Sequence, residues 1–335
     1  MLALEPVIVG DEETHARVSG TFLRFRSLHS KVTSMAGFGD RVIERTRALG
    51  HPLCVGLDPY LDRIPSLFRR GSMQPQHPET AQAIEEFCCR VIDLIAADVG
   101  VVKPQVSLFE RLGSHGWHAL ERVIRYARAA GLLVLLDAKR GDIAETATAY
   151  AQAYLSPDSS CSVDAITVNP YLGPESLAPF IIEAEKAERG VVVLVRNSNP
   201  DSSIYQAVDT AAGPLFAVVA ASLATWQDRL AGKVTGWSSL GVTVAATHSE
   251  DTERIRMALP DALFLVLGYG AQGASASEAV RGFRRGPAGL EGGIVSSSRP
   301  ILFPTAFSDA AAGNWEKDVL RALAKTTDEL REAVV

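Results

Sequence analysis

Residues 132–142 read Leu-Leu-Val-Leu-Leu-Asp-Ala-Lys-Arg-Gly-Asp, an apolar run that ends in charge. The length and side-chain branching of residues 132–136 are typical of a buried strand. Residues two apart in a strand share a face, so the side chains of Asp137 and Lys139 are predicted to project into one space. An ion pair that only stabilises the end of a strand would have the same pattern. The rest of the sequence is therefore needed to distinguish a structural ion pair from a functional site.

Strand-like runs of this kind alternate with amphipathic helical stretches along the chain. Eight runs are predicted to be strands, at residues 53–58, 99–105, 132–139, 165–171, 191–197, 240–247, 263–270 and 292–299. Helical periodicity separates them, as at Ile84, Phe87, Cys88, Val91 and Ile95. Eight such units in 335 residues, without a low-complexity linker, favour an α/β fold with a single (β/α)₈ TIM barrel over an open doubly wound sheet.

The barrel domain is predicted over residues 35–335, after an N-terminal extension at 1–34 that we interpret as poorly ordered. Acidic residues at 11–13 argue against a secretory signal or a transit peptide. No apolar run approaches the roughly 20 residues needed to cross a bilayer, so no membrane partner is expected.

The net charge and the cysteine content limit the kinds of ligand that the chain is expected to bind. A net charge of -6 removes any electrostatic reason to expect nucleic acid, which leaves a small-molecule substrate as the favoured ligand. The four cysteines form no Cys-x-x-Cys pair, which favours a reduced, cytoplasmic protein without a structural zinc.

The predicted strands end in charged residues. The first ends at Asp58 and the second at Lys103, and the third carries Asp137 and Lys139. Because barrels place their active sites at the carboxyl ends of the strands, these side chains are predicted to form one site. Gly141 then breaks the third strand, and Asp142 is predicted to open a helix over residues 143–155, where a carboxylate suits the N-terminus.

A phosphate site is predicted after the seventh and eighth strands, where barrels often bind phosphate. The seventh is followed by a glycine-rich loop, residues 268–273, whose backbone amides could approach an anion. The eighth ends at Arg299, whose guanidinium suits a bidentate grip on phosphate. The loop also matches Gly-x-Gly-x-x-Gly, but dinucleotide binding is disfavoured because the loop follows the seventh strand and lacks a later ribose-binding acid.

Together these motifs resemble orotidine 5′-phosphate decarboxylases, and more closely the bacterial type 2 branch. The most specific element is Asp137-x-Lys139-x-x-Asp142 followed by Ile143 and Thr146. Asp58 and Lys103 upstream, and Gln272 and Arg299 downstream, arrive in the family's order. Residues 168–173 and 197–200 are similar to that branch's loops after the fourth and fifth strands. Two positions depart from the family pattern: Leu267 stands where proline is expected, and Pro300 directly follows the arginine.

The resemblance implies a cofactor-independent, metal-free lyase that converts orotidine 5′-phosphate to uridine 5′-phosphate and CO₂, the last step of de novo UMP biosynthesis. Lys139 would balance the carbanion that develops at C6 and then donate a proton to it. Asp137 would lie beside the departing carboxylate. Lys103 and Asp142 would complete an alternating charge network that holds Lys139 protonated and aimed.

Binding roles follow from the same resemblance. Asp58 and Lys103 are assigned to the ribose hydroxyls, and Gln272 and Arg299 to the phosphate. Thr146, with Asp142, is assigned to the ribose side of a neighbouring subunit's site, which implies a homodimer with shared active sites. Asn169 is a candidate contact to the pyrimidine, although asparagines at strand ends are often structural.

Two other functions stay open at this point. One is a Mg²⁺-dependent sugar-phosphate decarboxylase or aldolase of the same barrel group, which uses the Asp-x-Lys-x-x-Asp motif to hold the metal. A lysine at 103 that points into the same centre disfavours a divalent cation there. The other is a non-catalytic barrel that binds a phosphoribosyl ligand, against which the complete set of charged residues argues.

Overall fold

The computed structural model describes residues 36–304 and 314–335, so the extension predicted at residues 1–34 lies outside the described residues. Eight strands close into one parallel barrel, in which each strand pairs with its sequence neighbours and the last pairs with the first. The strands are β1 Leu53–Leu57, β2 Val101–Pro104, β3 Leu133–Arg140, β4 Ala165–Val168, β5 Gly190–Val193, β6 Leu240–Ala245, β7 Leu263–Leu267 and β8 Gly293–Ser297. The predicted (β/α)₈ barrel is confirmed.

Helices follow every strand, and the described residues form thirteen of them. They are α1 Phe38–Leu49, α2 Pro78–Ile95, α3 Ser107–Glu110, α4 Gly113–Ala129, α5 Ala144–Leu155, α6 Ala178–Ala187, α7 Ser203–Gln206, α8 Leu215–Ser222, α9 Ala224–Arg229, α10 Ser249–Ala258, α11 Ala276–Ala279, α12 Arg299–Leu302 and α13 Trp315–Val334. After β7 the helix is a single turn, α11, and a hairpin of Arg284–Gly286 with Gly289–Glu291 fills the rest of that connection.

Two apolar layers hold the barrel together, one inside the barrel and one between the strands and the helices. Successive side chains of β3 alternate between them: Leu133 and Leu135 pack inside the barrel, whereas Val134 and Leu136 pack against the helices. Helix α1 places Phe38 in the inner cluster, together with Trp237. Each fully buried side chain of this size contributes about 1.5–3 kcal/mol relative to exposure. The strands therefore form a filled core, and the charged site lies beyond it at their carboxyl ends.

Among the described residues, no helix combines the length and apolar character that a membrane crossing requires.

Arg256 of α10 joins the segments around β7, and its loss is expected to be costly. Its guanidinium stacks on Phe264, 3.6 Å from the ring centroid, and donates to the carbonyls of Gly282, Leu259, Pro260, Ala262 and Gly292. Arg256→Met would leave several of these carbonyls without their donor. We expect the free energy of unfolding to fall by about 3 kcal/mol or more, measured by urea denaturation.

Arg254 on the same helix is the matched control, because it is exposed to solvent. Arg254→Met should change the free energy of unfolding by no more than about 0.5 kcal/mol. Equal losses in the two variants would show that the carbonyl contacts of Arg256 contribute little.

Candidate active site

Three charged side chains meet where β2 and β3 end. Lys103 Nζ donates to Oδ2 of Asp137 at 2.8 Å, and Lys139 Nζ donates to Oδ1 at 2.5 Å. Asp137 and Lys103 are buried, whereas the side chain of Lys139 is 44% exposed. The cluster therefore contains one buried cation and one cation that is open to solvent at the barrel mouth, joined by a single carboxylate.

The cluster holds its own charges in the ionised form. Burial alone would raise the pKa of Asp137, but the ammonium groups of Lys103 and Lys139 outweigh burial and keep that pKa well below its usual range. Burial alone would lower the pKa of Lys103, but Asp137 and Asp58 outweigh it and raise that pKa. At neutral pH the buried pair is therefore a fully charged ion pair.

The backbone that carries Lys139 is not a regular strand. The pairing of β3 with β4 shifts register between Leu136 and Arg140, and Lys139 has a φ of 49°, in the left-handed region. The convergence of Asp137 and Lys139 therefore comes from a bulge rather than from the simple alternation on which the sequence argument depended. The strand also runs one residue further than predicted, and Gly141 follows its end.

Thr167 of β4 holds this bulge, and sequence reasoning missed it. Its Oγ1 accepts the N–H groups of Ala138 at 3.0 Å and Lys139 at 2.9 Å, and its hydroxyl donates to Oδ1 of Asp137 at 3.1 Å. A hydroxyl-bearing residue at the end of the strand next to the charged motif was the available signal. It was weak, because threonine is common in strands.

Asp58 follows β1 and lies close enough to Lys103 to influence its pKa. Its Oδ1 is buried and has no hydrogen-bond partner among the described residues. Ser298 lies beside it across β1, since a Cβ at Gly56 would be 1.8 Å from Oγ of Ser298. Only glycine at position 56 permits this close approach.

The predicted phosphate region is formed by the loop after β7 and the start of α12. Gln272 and Arg299 are both exposed, and no carboxylate among the described residues pairs with Arg299. Pro300 occupies the first turn of α12, where its missing N–H is harmless, and packs near Gly270. The contact of Pro300 with Gly270 shows that the two segments are adjacent.

One expectation for this loop is wrong in detail. The N–H groups of Gly270, Ala271 and Gly273 donate to carbonyls within the loop, at 3.1, 2.8 and 3.0 Å, so they are not free to meet an anion in this conformation. Positive φ angles at Gly268, Gly270 and Gly273 produce the tight turn instead.

Three predicted site residues lie outside the charge cluster. Asp142 is half-buried, and its Oδ1 accepts from the N–H of Ile143 at 2.8 Å rather than from Lys139. Thr146 lies on the exposed first turn of α5, which begins at Ala144. Asn169 is exposed, and its side chain accepts from the backbone N–H of Tyr171 at 3.0 Å in a local turn. Within one described chain, therefore, Asp142 does not complete the network around Lys139.

The fold is a (β/α)₈ barrel, a class that places enzyme sites at the carboxyl ends of its strands, and two lysines that share one carboxylate lie at that end here. The model of the orotidine 5′-phosphate decarboxylase / HUMPS family matches residues 51–304. The chain belongs to that family.

Similar proteins cover nearly the whole barrel. An orotidine 5′-phosphate decarboxylase of Rhodopirellula baltica is 39% identical over 290 residues, which cover 84% of this chain and 95% of that protein. One from Salinispora arenicola is 41% identical, over 87% of this chain and 95% of that protein. The solved OMP decarboxylase of Leishmania donovani is 30% identical with a TM-score of 0.68, over 89% of this chain and 98% of that one. These names place the chain among the carboxy-lyases.

Proposed function

We propose that this protein decarboxylates orotidine 5′-phosphate to uridine 5′-phosphate and CO₂, with Lys139 as the proton donor to C6. The observation that carries the proposal is the Lys103–Asp137–Lys139 cluster, in which a buried carboxylate binds two ammonium groups and leaves one of them exposed at the mouth. Family membership and the names of the relatives support the substrate.

The chemistry needs a fixed positive charge at one point. When the bond between C6 and the carboxylate breaks, the electron pair stays on C6 in an orbital that the pyrimidine ring cannot delocalise. The Lys139 ammonium offsets this developing charge and then transfers a proton to C6, which leaves uridine 5′-phosphate and a neutral amine. Asp137, held ionised by Lys103, keeps Lys139 at the reacting carbon and lies beside the departing carboxylate.

Substrate contacts extend from the cluster in two directions. The unpartnered Oδ1 of Asp58 and the Lys103 ammonium are suited to the ribose hydroxyls. Gln272 and Arg299 are suited to the phosphate, at the segments after β7 and β8. For Asn169 to contact the pyrimidine through Oδ1, its hydrogen bond with the N–H of Tyr171 has to open when substrate binds.

The Mg²⁺-dependent alternative is disfavoured by the partners of Asp137. Both of its oxygens already accept from ammonium groups, and a divalent cation beside two lysines would meet strong repulsion. An assay with a chelator therefore distinguishes the two functions.

The decisive experiment follows the loss of ultraviolet absorbance of the orotate chromophore with purified protein. We expect turnover of orotidine 5′-phosphate, with the same rate after exhaustive chelation. Turnover that chelation abolishes and Mg²⁺ restores would favour the sugar-phosphate alternative. Tight binding of the nucleotide without turnover would favour a non-catalytic barrel.

Arg299→Ala is expected to lower kcat/KM for orotidine 5′-phosphate by at least about tenfold, because it removes a charge-assisted hydrogen bond to phosphate. The control is the nucleoside orotidine, which lacks the phosphate, and wild type and variant should turn it over at equal, low rates. An equal loss with both substrates would show that Arg299 does not contact the phosphate.

We also propose a homodimer in which each site is completed by the partner. Large apolar side chains are exposed in the segments that follow β3 and β4: Ile143, next to Asp142, is 66% exposed, Tyr171 84% and Leu172 52%. Apolar groups concentrated around unused polar side chains are typical of a surface that another chain covers.

A further inference from the structure

Thr167 is a neutral side chain that forms hydrogen bonds with both the backbone and the carboxylate of the charged motif. Its side chain is buried, with 1% of the residue exposed, in the middle of the sheet between β3 and β5. Three groups of β3 converge on its hydroxyl: two backbone N–H groups and Oδ1 of Asp137.

The direction of these hydrogen bonds follows from the valence of a hydroxyl. Oγ1 has two lone pairs and one proton. The N–H groups of Ala138 and Lys139 use both lone pairs, so the proton of Thr167 is left for Oδ1 of Asp137. The same oxygen of Asp137 accepts from the ammonium of Lys139. Thr167, together with Lys103 on the other oxygen, thus fixes the rotation of the carboxylate that holds the reactive ammonium.

The bulge adds a second dependence. Lys139 has a left-handed backbone, which a non-glycine residue adopts only when its surroundings impose it, and the N–H of that residue donates to Thr167. Its side chain is 44% exposed, so core packing does not fix its direction. The position of its ammonium therefore depends on the bulge and on Asp137, and Thr167 holds both.

We propose that Thr167 is a positioning residue for the decarboxylation: it fixes the bulge and the Asp137 carboxylate so that the Lys139 ammonium reaches C6. The inference rests on the proposed role of Lys139. Thr167 itself touches neither the proton in flight nor the nucleotide, so its effect should appear in kcat and not in binding.

The chain contains a matched control. Thr243 of β6 is buried to a similar degree, 2% exposed, and accepts the N–H of Val195, beyond the end of β5, at 3.0 Å. Its hydroxyl donates to Oδ1 of Asn197 at 3.3 Å. Both threonines are buried strand residues whose hydroxyl accepts a backbone N–H beside the adjacent strand, but the hydroxyl of Thr243 donates to an amide oxygen instead of a carboxylate.

The test compares Thr167→Val, Thr167→Ser and Thr243→Val. Valine keeps the shape and removes the hydroxyl, and we expect Thr167→Val to lower kcat about 10- to 100-fold, since a misplaced catalytic group costs rate of this order. KM, and the Kd for the product uridine 5′-phosphate, should stay within about threefold of wild type, because no substrate contact is lost. Serine restores the hydroxyl and should return kcat to within about threefold. Thr243→Val should retain kcat.

Several outcomes would overturn the inference: an unchanged kcat in Thr167→Val, a parallel rise in KM, no rescue by serine, or an equal loss of kcat in Thr243→Val. If Thr167→Val does not fold, Thr167→Cys carries the same test, because a thiol is a weak hydrogen-bonding group of similar size. Lys139→Ala, assayed alongside, separates the two proposals: full activity in that variant refutes the role of Lys139, whereas its inactivity beside a fully active Thr167→Val refutes only the role of Thr167.

Discussion

Lys139→Ala is expected to lower kcat/KM for orotidine 5′-phosphate by at least about 10⁴-fold, because one side chain supplies both the fixed charge at C6 and the proton. Each of these effects alone is worth about 10²- to 10³-fold or more in enzymes that use it. The measurement is the initial rate of loss of orotate absorbance at saturating and at limiting substrate. The Kd for uridine 5′-phosphate should change far less than the rate.

Folding should survive this substitution. Asp137 keeps Lys103 at 2.8 Å and Thr167 at 3.1 Å after the loss of Lys139, so the buried carboxylate remains paired. Lys186→Ala is the matched control, since that lysine is 67% exposed on α6 and its removal should leave kcat/KM unchanged. A loss below about tenfold in Lys139→Ala would contradict a proton donor at this position.

The barrel could be predicted because each strand carries its own local signal. A run such as residues 132–136 is long enough and apolar enough to predict a strand by itself. Eight such runs that alternate with helices are compatible with few folds, of which the (β/α)₈ barrel is one. Except for the third, the predicted strands extend too far at their carboxyl ends: the run at 165–171 ends as β4 at Val168, and the run at 191–197 ends as β5 at Val193. The residues beyond these ends form loops. The hydrophobic pattern of the sequence does not mark the residue at which a strand stops and its loop begins.

The meeting of Lys103, Asp137 and Lys139 could be predicted because the carboxyl ends of barrel strands converge on one mouth. What the sequence could not show is how they are held. The left-handed backbone of Lys139 depends on hydrogen bonds to Thr167, which is 28 residues away along the chain. The hydrogen bonds inside the loop at Gly270 and Gly273 are local, but the spacing of the glycines does not show which N–H groups they occupy.

Asp142 belongs to the most specific part of the motif, yet among the described residues its side chain accepts a hydrogen bond only from the N–H of Ile143. A role in the partner's site reconciles the two facts. Lys139→Ala and Asp142→Ala homodimers should then each be nearly inactive. In a mixed dimer, one site carries both defects and the other carries neither. Activity should reappear when the two inactive proteins are mixed.

The size of the recovery follows from counting sites. With equal amounts and random exchange, half of the dimers are mixed and half of their sites are intact, so activity should approach roughly a quarter of wild type. The control mixes Lys139→Ala with Asp137→Ala: these two side chains touch at 2.5 Å within one chain, so every site keeps one defect and no activity should return. Subunit exchange is verified by native mass spectrometry on tagged chains. Exchange without recovery in the first mixture would place Asp142 and Lys139 in the same chain's site and refute the shared-site dimer.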